Sequence, residues 1–276
     1  MESSNFAFIG GGNMAHSLIS GLVGSGLDPK YIWVADPSQA RLDKIAELSQ
    51  INITTSNVKA ADGADIVVLA VKPQVMSQVL PEIRDVIVNG KPLVISIAAG
   101  ITETSLRKAL HQTTAIVRAM PNTPALVQSG ATALYANEHV SNAQKVKAES
   151  IMRSVGIAIW LDHETMLDAV TAVSGSGPAY FFLLMELLDQ AAQELGLPAA
   201  AARKLSLQTA YGAAYMALES AESPAELRER VTSPGGTTAA ALTELDKSDF
   251  SDIFIRAVAA ACKRATELSA EMEQKP

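Results

Sequence analysis

The hydrophobic pattern of the chain changes character once, near residue 161. Up to that point, short runs that are apolar almost without interruption alternate with stretches whose apolar residues recur at helical spacing. The runs are residues 5–10 (NFAFIG), 31–36 (YIWVAD), 64–71 (ADIVVLAV), 92–98 (PLVISIA), 114–120 (TAIVRAM), 131–136 (ATALYA) and 156–161 (GIAIWL). Strands this apolar are covered on both faces, and helical segments between them make parallel βαβ units. The expected fold of residues 1–161 is therefore a doubly wound, Rossmann-like α/β domain.

After Leu161 only helical periods follow, at about 164–174, 178–195, 198–220, 223–231, 236–246 and 249–272. Residues 162–276 are expected to form an all-α domain. The stretch AYFFLLMELLDQAAQEL (179–195) places Phe181, Leu184, Met185 and Leu188 on one side and Phe182 and Leu183 beside them. A helix that is apolar over more than one face must be covered from several directions. The helical half has few layers with which to do so, and a second subunit is expected to supply the rest, making a homodimer. The alternative is the central helix of a monomeric bundle.

Composition narrows the partners. The chain has 276 residues, 48% of them hydrophobic, enough for two ordinary cores, and its net charge is −7. With a pI near 5.2 and no run of Lys or Arg, a nucleic acid or a membrane surface is not expected as a partner. No apolar stretch reaches the ~18 residues that span a bilayer. The single cysteine, Cys262, cannot form an internal disulfide, and the start MESSNFAFIGGG lacks a basic segment followed by a long apolar run. A cytoplasmic location is expected.

Chemistry enters first at FIGGGNMA. Gly10, Gly12 and Ala15 follow the spacing G-x-G-x-x-A directly after a strand and at the opening of a helix. Gly10 permits the tight turn, Gly12 lets a pyrophosphate approach the backbone, and Ala15 lets helix and strand pack closely. The helix N-terminus then offers unpaired N–H groups to the phosphates. The second strand ends at Asp36, where a carboxylate usually accepts from the ribose 2′-OH and so favours NAD over NADP. Ser38 and Arg41 follow closely, and Arg41 can stack on adenine, pair with a phosphate or stand in solvent. NADH and NADPH both stay open. AVKPQ (70–74) and SIAAG (96–100) end two further strands at the ligand-binding edge, so Lys72 can touch cofactor or substrate. In MPNTPA (120–125), prolines on either side of Asn122 and Thr123 make a rigid loop able to hold an amide near the nicotinamide.

The four histidines, at positions 16, 111, 139 and 163, show no ligand spacing, and neither a metal site nor a thiol nucleophile is expected. What remains are two helix entrances, SGSGPAYFF (174–182) and SPGGTTAAAL (233–242). In the first, Ser176 or Gly177 caps the helix and Ser176 can line a pocket. In the second, adjacent Gly235 and Gly236 are costly unless backbone must bend sharply or approach a ligand. With Ser233, Thr237 and Thr238 they form an uncharged cradle whose N–H groups can hold a carboxylate.

FIGGGNMA, AVKPQ, SIAAGI, RAMPNTPA, AVSGSGPAYFF and VTSPGGTT, taken together and in this order, resemble the pyrroline-5-carboxylate reductases, over about residues 6–270. The resemblance implies reduction of the cyclic imine Δ1-pyrroline-5-carboxylate to L-proline by NADPH or NADH, the last step of proline synthesis. It also implies a helical domain that interlocks with a partner subunit, with dimers often assembling into decamers. Carried over residue by residue, Ile9, Gly10, Gly11, Gly12, Asn13 and Met14 bind the pyrophosphate, Asp36 and Ser38 lie at the adenosine ribose, and Asn57 lies beside the adenosine. Ala70, Val71, Lys72 and Pro73, with Ala98, Ala99 and Gly100, run along the cofactor. Glu164, Thr237 and Thr238 contact substrate, with the Thr238 hydroxyl near the ring nitrogen as the catalytic contact. The sequence departs from the family at two places. Many relatives carry Ser, Thr or Asn near position 36, which goes with their preference for NADPH, and Arg230 stands where the human-type enzymes have a substrate-side Asn.

A protonated imine is already electrophilic, so orientation rather than strong acid or base carries the reaction. The nearest rival, a β-hydroxyacid dehydrogenase, relies on a lysine in the first long helix of its second domain, and residues 177–195 contain none. A second rival, a nucleotide sensor without turnover, has no use for the two glycine-rich helix entrances.

Overall fold

A computed structural model of the chain describes residues 4–47 and 50–273. The extreme ends of the two expected domains, residues 1–3 and 274–276, lie outside the described residues, as does the very start of the segment read for targeting signals.

Eight strands are present among the described residues: β1 (Phe6–Ile9), β2 (Ile32–Ala35), β3 (Asn52–Thr54), β4 (Ile66–Leu69), β5 (Leu93–Ser96), β6 (Ile116–Met120), β7 (Gly130–Ala136) and β8 (Gly156–Trp160). They form one sheet in the order β3-β2-β1-β4-β5-β6-β7-β8. Helices α1 (Asn13–Gly24), α2 (Gln39–Ala46), α3 (Asn57–Ala61), α4 (Met76–Gly90), α5 (Glu103–Ala109) and α6 (Asn142–Arg153) connect them. Successive residues of a strand point to opposite faces, and here both faces are dry. Phe6, Phe8, Ile32, Val34, Ile66 and Val68 enter one core with Leu18, Leu22 and Ile151. Their neighbours Ala7, Ile9, Ala35, Val67 and Leu69 enter a second core with Leu80, Ile83 and Leu106. Two cores on one sheet are the reason the strand runs read as continuously apolar.

Two expectations about the sheet need correction. The seven apolar runs miss β3, a three-residue edge strand with Asn52 and Thr54 at its ends. Nor is the sheet wholly parallel, because β7 runs antiparallel to β6. The link between them, a 3₁₀ turn at Thr123–Val127, is too short for the crossover of a dozen or more residues that a parallel pair requires. The chain returns to a βαβ unit at β7-α6-β8, where β8 pairs parallel to β7.

Past β8 come α7 (Met166–Val170), a π-helical turn at Thr171–Gly175, α8 (Gly177–Glu194), α9 (Ala199–Glu219), α10 (Pro224–Arg230), α11 (Thr237–Lys247) and α12 (Phe250–Glu273). The π turn closes with Ser176 N–H donating to Thr171 O at 2.8 Å. By compactness the chain divides at Ser176 and again at Ala261, so that residues 177–260 form one unit and the flanking segments the other. The border at 161/162 marks where strand pattern ends, whereas compactness follows burial. Leu167 and Ala172 are buried and belong with the sheet, as do residues 261–273 at the end of α12. The helical unit keeps large apolar groups outside in the single chain, with Phe181 60% and Phe182 63% exposed.

Candidate active site

In the first unit, the glycine loop between β1 and α1 is fixed from two sides. Gly10 has φ of +104°, and a Cβ there would lie 2.7 Å from Ala70 O, so only glycine fits between the ends of β1 and β4. Its N–H donates to Ala35 O at 2.7 Å. Gly11 N–H donates to Asp36 Oδ2 at 2.9 Å. Gly12 is the N-cap of α1, with no side chain capping the helix and nothing within 4 Å of where its Cβ would be. An open glycine at an uncapped helix N-terminus fits a diphosphate, which would use the spare N–H groups around Gly12, Asn13 and Met14. Ile9, at the end of β1, is buried beneath the loop and accepts from Ala70 N–H at 2.8 Å.

The remaining cofactor positions divide by role. Ala70 and Val71 back the glycine loop, Lys72 is exposed, and Pro73 opens a 3₁₀ turn. Pro73, Ala98, Ala99 and Gly100 line a cavity of about 120 Å³ together with Arg118 and Met120. This cavity is far too small for a dinucleotide, so it marks the carboxyl edge of the sheet rather than the whole cofactor groove. Asn57, in the first turn of α3, gives its amide N–H to Glu82 Oε2 at 2.7 Å.

Three of the expected contact residues are already hydrogen-bonded within the protein. The Asp36 side chain is 4% exposed, and its second oxygen accepts from Ser38 N–H at 2.8 Å, so both oxygens already accept from the loop backbone. Asn122 is likewise held by backbone groups. Its Nδ2 donates to Ser174 O at 3.0 Å and its Oδ1 accepts from Ala131 N–H at 2.8 Å, so it ties the loop after β6 to β7 and to the π turn. Glu164 is occupied by the protein itself, with Oε1 accepting from Arg118 Nη1 at 2.7 Å and from Glu103 N–H at 2.6 Å.

Arg118, which opens the RAMPNTPA motif, lines the cavity beside Ala98–Gly100 but carries no role among the sequence-based expectations. It lies in β6 with its side chain 9% exposed, paired with Glu164. Glu103, also buried, accepts from Asn137 Nδ2 at 2.8 Å and stands 3.4 Å from Arg107 Nε. Across the ladder from Arg118 is Tyr135, whose phenol pKa is raised, first by burial and then by the carboxylates of Glu164, Glu103 and Glu138. The signal was available in TAIVRAM: an arginine inside an apolar strand must be paired, because an unpaired buried charge is prohibitive.

In the second unit, the turn before α11 has the features expected of a cradle. Gly235 has φ of +70°, a conformation that side-chain-bearing residues rarely adopt. Gly236 is the N-cap of α11, no side chain caps the helix, and Gly236 N–H closes the turn on Ser233 O at 3.0 Å. The N–H groups of the first turn, at Thr237 and Thr238, therefore point out of the helix end without a partner from the turn. The half-buried Thr238 hydroxyl has no hydrogen-bond partner among the described residues. Arg230 is committed to an ion pair with Glu222. Ser176, in the other unit, is half-buried at the end of the π turn. Among the described residues no cluster of His, Cys, Asp and Glu could hold a metal ion.

A glycine loop open to a diphosphate on a doubly wound sheet, followed by an all-helical unit, defines a nicotinamide-dinucleotide oxidoreductase, and residues 5–100 match the family described as NADP oxidoreductase, coenzyme F420-dependent. Residues 164–268 match the family described as pyrroline-5-carboxylate reductase dimerisation. The chain is 48% identical over 274 residues to the pyrroline-5-carboxylate reductase of Pseudomonas aeruginosa, covering 99% of this chain and 100% of that one. It is similar to the solved structure of a pyrroline-5-carboxylate reductase from Coxiella burnetii, with a TM-score of 0.92 at 48% identity, covering 97% of this chain and 99% of that one. The Plasmodium falciparum pyrroline carboxylate reductase, solved with NADP bound, aligns with a TM-score of 0.87 at 32% identity, covering 98% and 99%. The chain belongs to the pyrroline-5-carboxylate reductase family.

Proposed function

We propose that this chain reduces Δ1-pyrroline-5-carboxylate to L-proline with NADPH or NADH, and that the turn at 233–238 holds the substrate. The observation that carries the substrate assignment is the uncapped start of α11 beside the unpartnered Thr238 hydroxyl. The bound dinucleotide supplies a hydride. The chain's own part is to bind and orient. Backbone N–H groups around Gly12 hold the diphosphate, Gly10 and the Ala70–Pro73 segment fix the loop, and Ala98–Gly100 border the cofactor. In the helical unit, N–H groups at Gly236, Thr237 and Thr238 hold the substrate carboxylate, with Ser233 and Gly235 shaping the turn, and the Thr238 hydroxyl hydrogen-bonds the ring nitrogen. In this reading Ser176 and Glu164 also contact the substrate, and Arg118 holds Glu164 through their ion pair. No strong acid is required of these groups, because the iminium carbon is already electrophilic.

The helical unit is the dimer surface in this reading, in line with its exposed apolar face, and dimers assemble further into decamers. No helix among the described residues is long and apolar enough to cross a membrane, and the proposed location is the cytoplasm. Nicotinamide absorbance followed with the imine as substrate tests the reaction directly. Turnover that requires the imine supports it; cofactor binding without turnover overturns it in favour of a sensor. Thr238→Ala is expected to lower kcat/KM about tenfold, the cost of one transition-state hydrogen bond. A value within about threefold of the unsubstituted enzyme removes the Thr238 role.

A further inference from the structure

An acid at the end of the second strand of a dinucleotide-binding fold ordinarily accepts from the ribose 2′-OH and repels a 2′-phosphate. Asp36 occupies that place in sequence, but its carboxylate is turned under the glycine loop. Oδ2 accepts from Gly11 N–H at 2.9 Å and Oδ1 from Ser38 N–H at 2.8 Å. The fit is close, since a Cβ on Gly11 would stand 3.3 Å from Asp36 Cβ. The charge is also matched: Arg41 Nη1 lies 3.5 Å from Oδ2, and its side chain is 61% exposed against 4% for Asp36. What this edge shows to solvent is thus the cation, not the acid. A guanidinium has five donors in a fixed fork, and a tether at one nitrogen leaves the others free for a phosphate. Beside it, the Ser38 hydroxyl is not used to cap α2.

We propose that Asp36 is a positioning residue that orders the glycine loop, and that Arg41 selects NADPH over NADH by pairing with the adenosine 2′-phosphate. This rests on the reading of the first unit as the dinucleotide-binding unit.

The test compares adenosine 2′,5′-bisphosphate with AMP, which differ only in the 2′-phosphate, by calorimetric titration of the full chain. The unsubstituted protein is expected to bind the bisphosphate about tenfold more tightly, the scale of one charge-assisted contact. Arg41→Ala brings the two nucleotides within about threefold of each other without weakening AMP, and Arg41→Lys restores part of the difference. Asp36→Asn weakens both by a similar factor and leaves their ratio in place. The proposal is overturned if Arg41→Ala leaves the ratio unchanged, or if Asp36→Asn strengthens the bisphosphate while weakening AMP, the behaviour of an acid that faces the ribose. Should Asp36→Asn fail to fold, the exposed Arg41 variants still decide the matter. Because no imine is present, selective nucleotide binding without imine reduction counts against the proposed reaction and not against Arg41. Binding of neither nucleotide overturns both the Arg41 role and the dinucleotide cradle.

Discussion

Gly10 leaves no room for a side chain. With φ at +104° and only 2.7 Å between a Cβ at this position and Ala70 O, Gly10→Ala must move either β1 or the end of β4. The strained conformation alone costs about 1–2 kcal/mol, and the displaced loop is expected to weaken NADPH at least about tenfold, read by quenching of protein fluorescence. Arg118 gives a second residue-scale prediction. Arg118→Ala leaves Glu164 without its cation in a largely buried site, and is expected to lower stability by about 3 kcal/mol in urea unfolding, the low end for a broken buried pair because Glu164 is partly exposed. A loss under about 1 kcal/mol contradicts that account. Positions such as Gly10 were legible in the sequence because the backbone conformation itself demands the residue type. The direction of a polar side chain was not. Asp36 and Asn122 stand where a cofactor contact is expected, yet each is consumed by backbone N–H and C=O groups that only the folded loops bring near.

At the scale of elements, α10 starts with a reciprocal cap: Ser223 Oγ accepts from Glu226 N–H, and Glu226 Oε2 accepts from Ser223 N–H. Ser223→Ala is expected to cost about 1 kcal/mol in thermal or urea unfolding. The Glu226 pKa lies below its ordinary value, chiefly through the Ser223 backbone hydrogen bond and then the Ser223 hydroxyl. The folded state therefore favours the carboxylate. Its contribution is complete above the unfolded glutamate pKa and is lost as pH falls through the lowered folded value. A Glu226 titration midpoint at or above that of a free glutamate, measured by NMR, contradicts the cap. Long helices such as α9 and α12 could be read from sequence within a residue or two, because long runs of helix-forming residues lie between clear boundary signals, such as Pro198 before α9 and Ser223–Pro224 after it. β3 could not, since three residues at a sheet edge carry too little pattern. The reversal at β7 was hidden too: strand direction follows from the length of the Thr123–Val127 link, not from the strand's own composition.

For the molecule as a whole, the apolar face of α8 gives the sharpest expectation. Phe181→Asp places a charge on a face that is 60% exposed in the single chain and is proposed to be covered by a second subunit. It is expected to shift sedimentation from dimer to monomer while far-UV circular dichroism is kept, and an unchanged dimer would move the interface elsewhere. The two-unit organisation was legible as a change of pattern near residue 161, but the return of the chain's last helix to the first unit was not, because α12 reads as one continuous helix. That return has a consequence for synthesis. Ala265, Leu268 and Met272 wall the cavity beside Ala98–Gly100 and Arg118. A chain still tethered to the ribosome before they emerge has its parallel strands but lacks this wall. The cofactor edge is thus completed only once residues 265–272 have emerged, and a nascent chain cut short before residue 261 is expected to need shielding of that open flank.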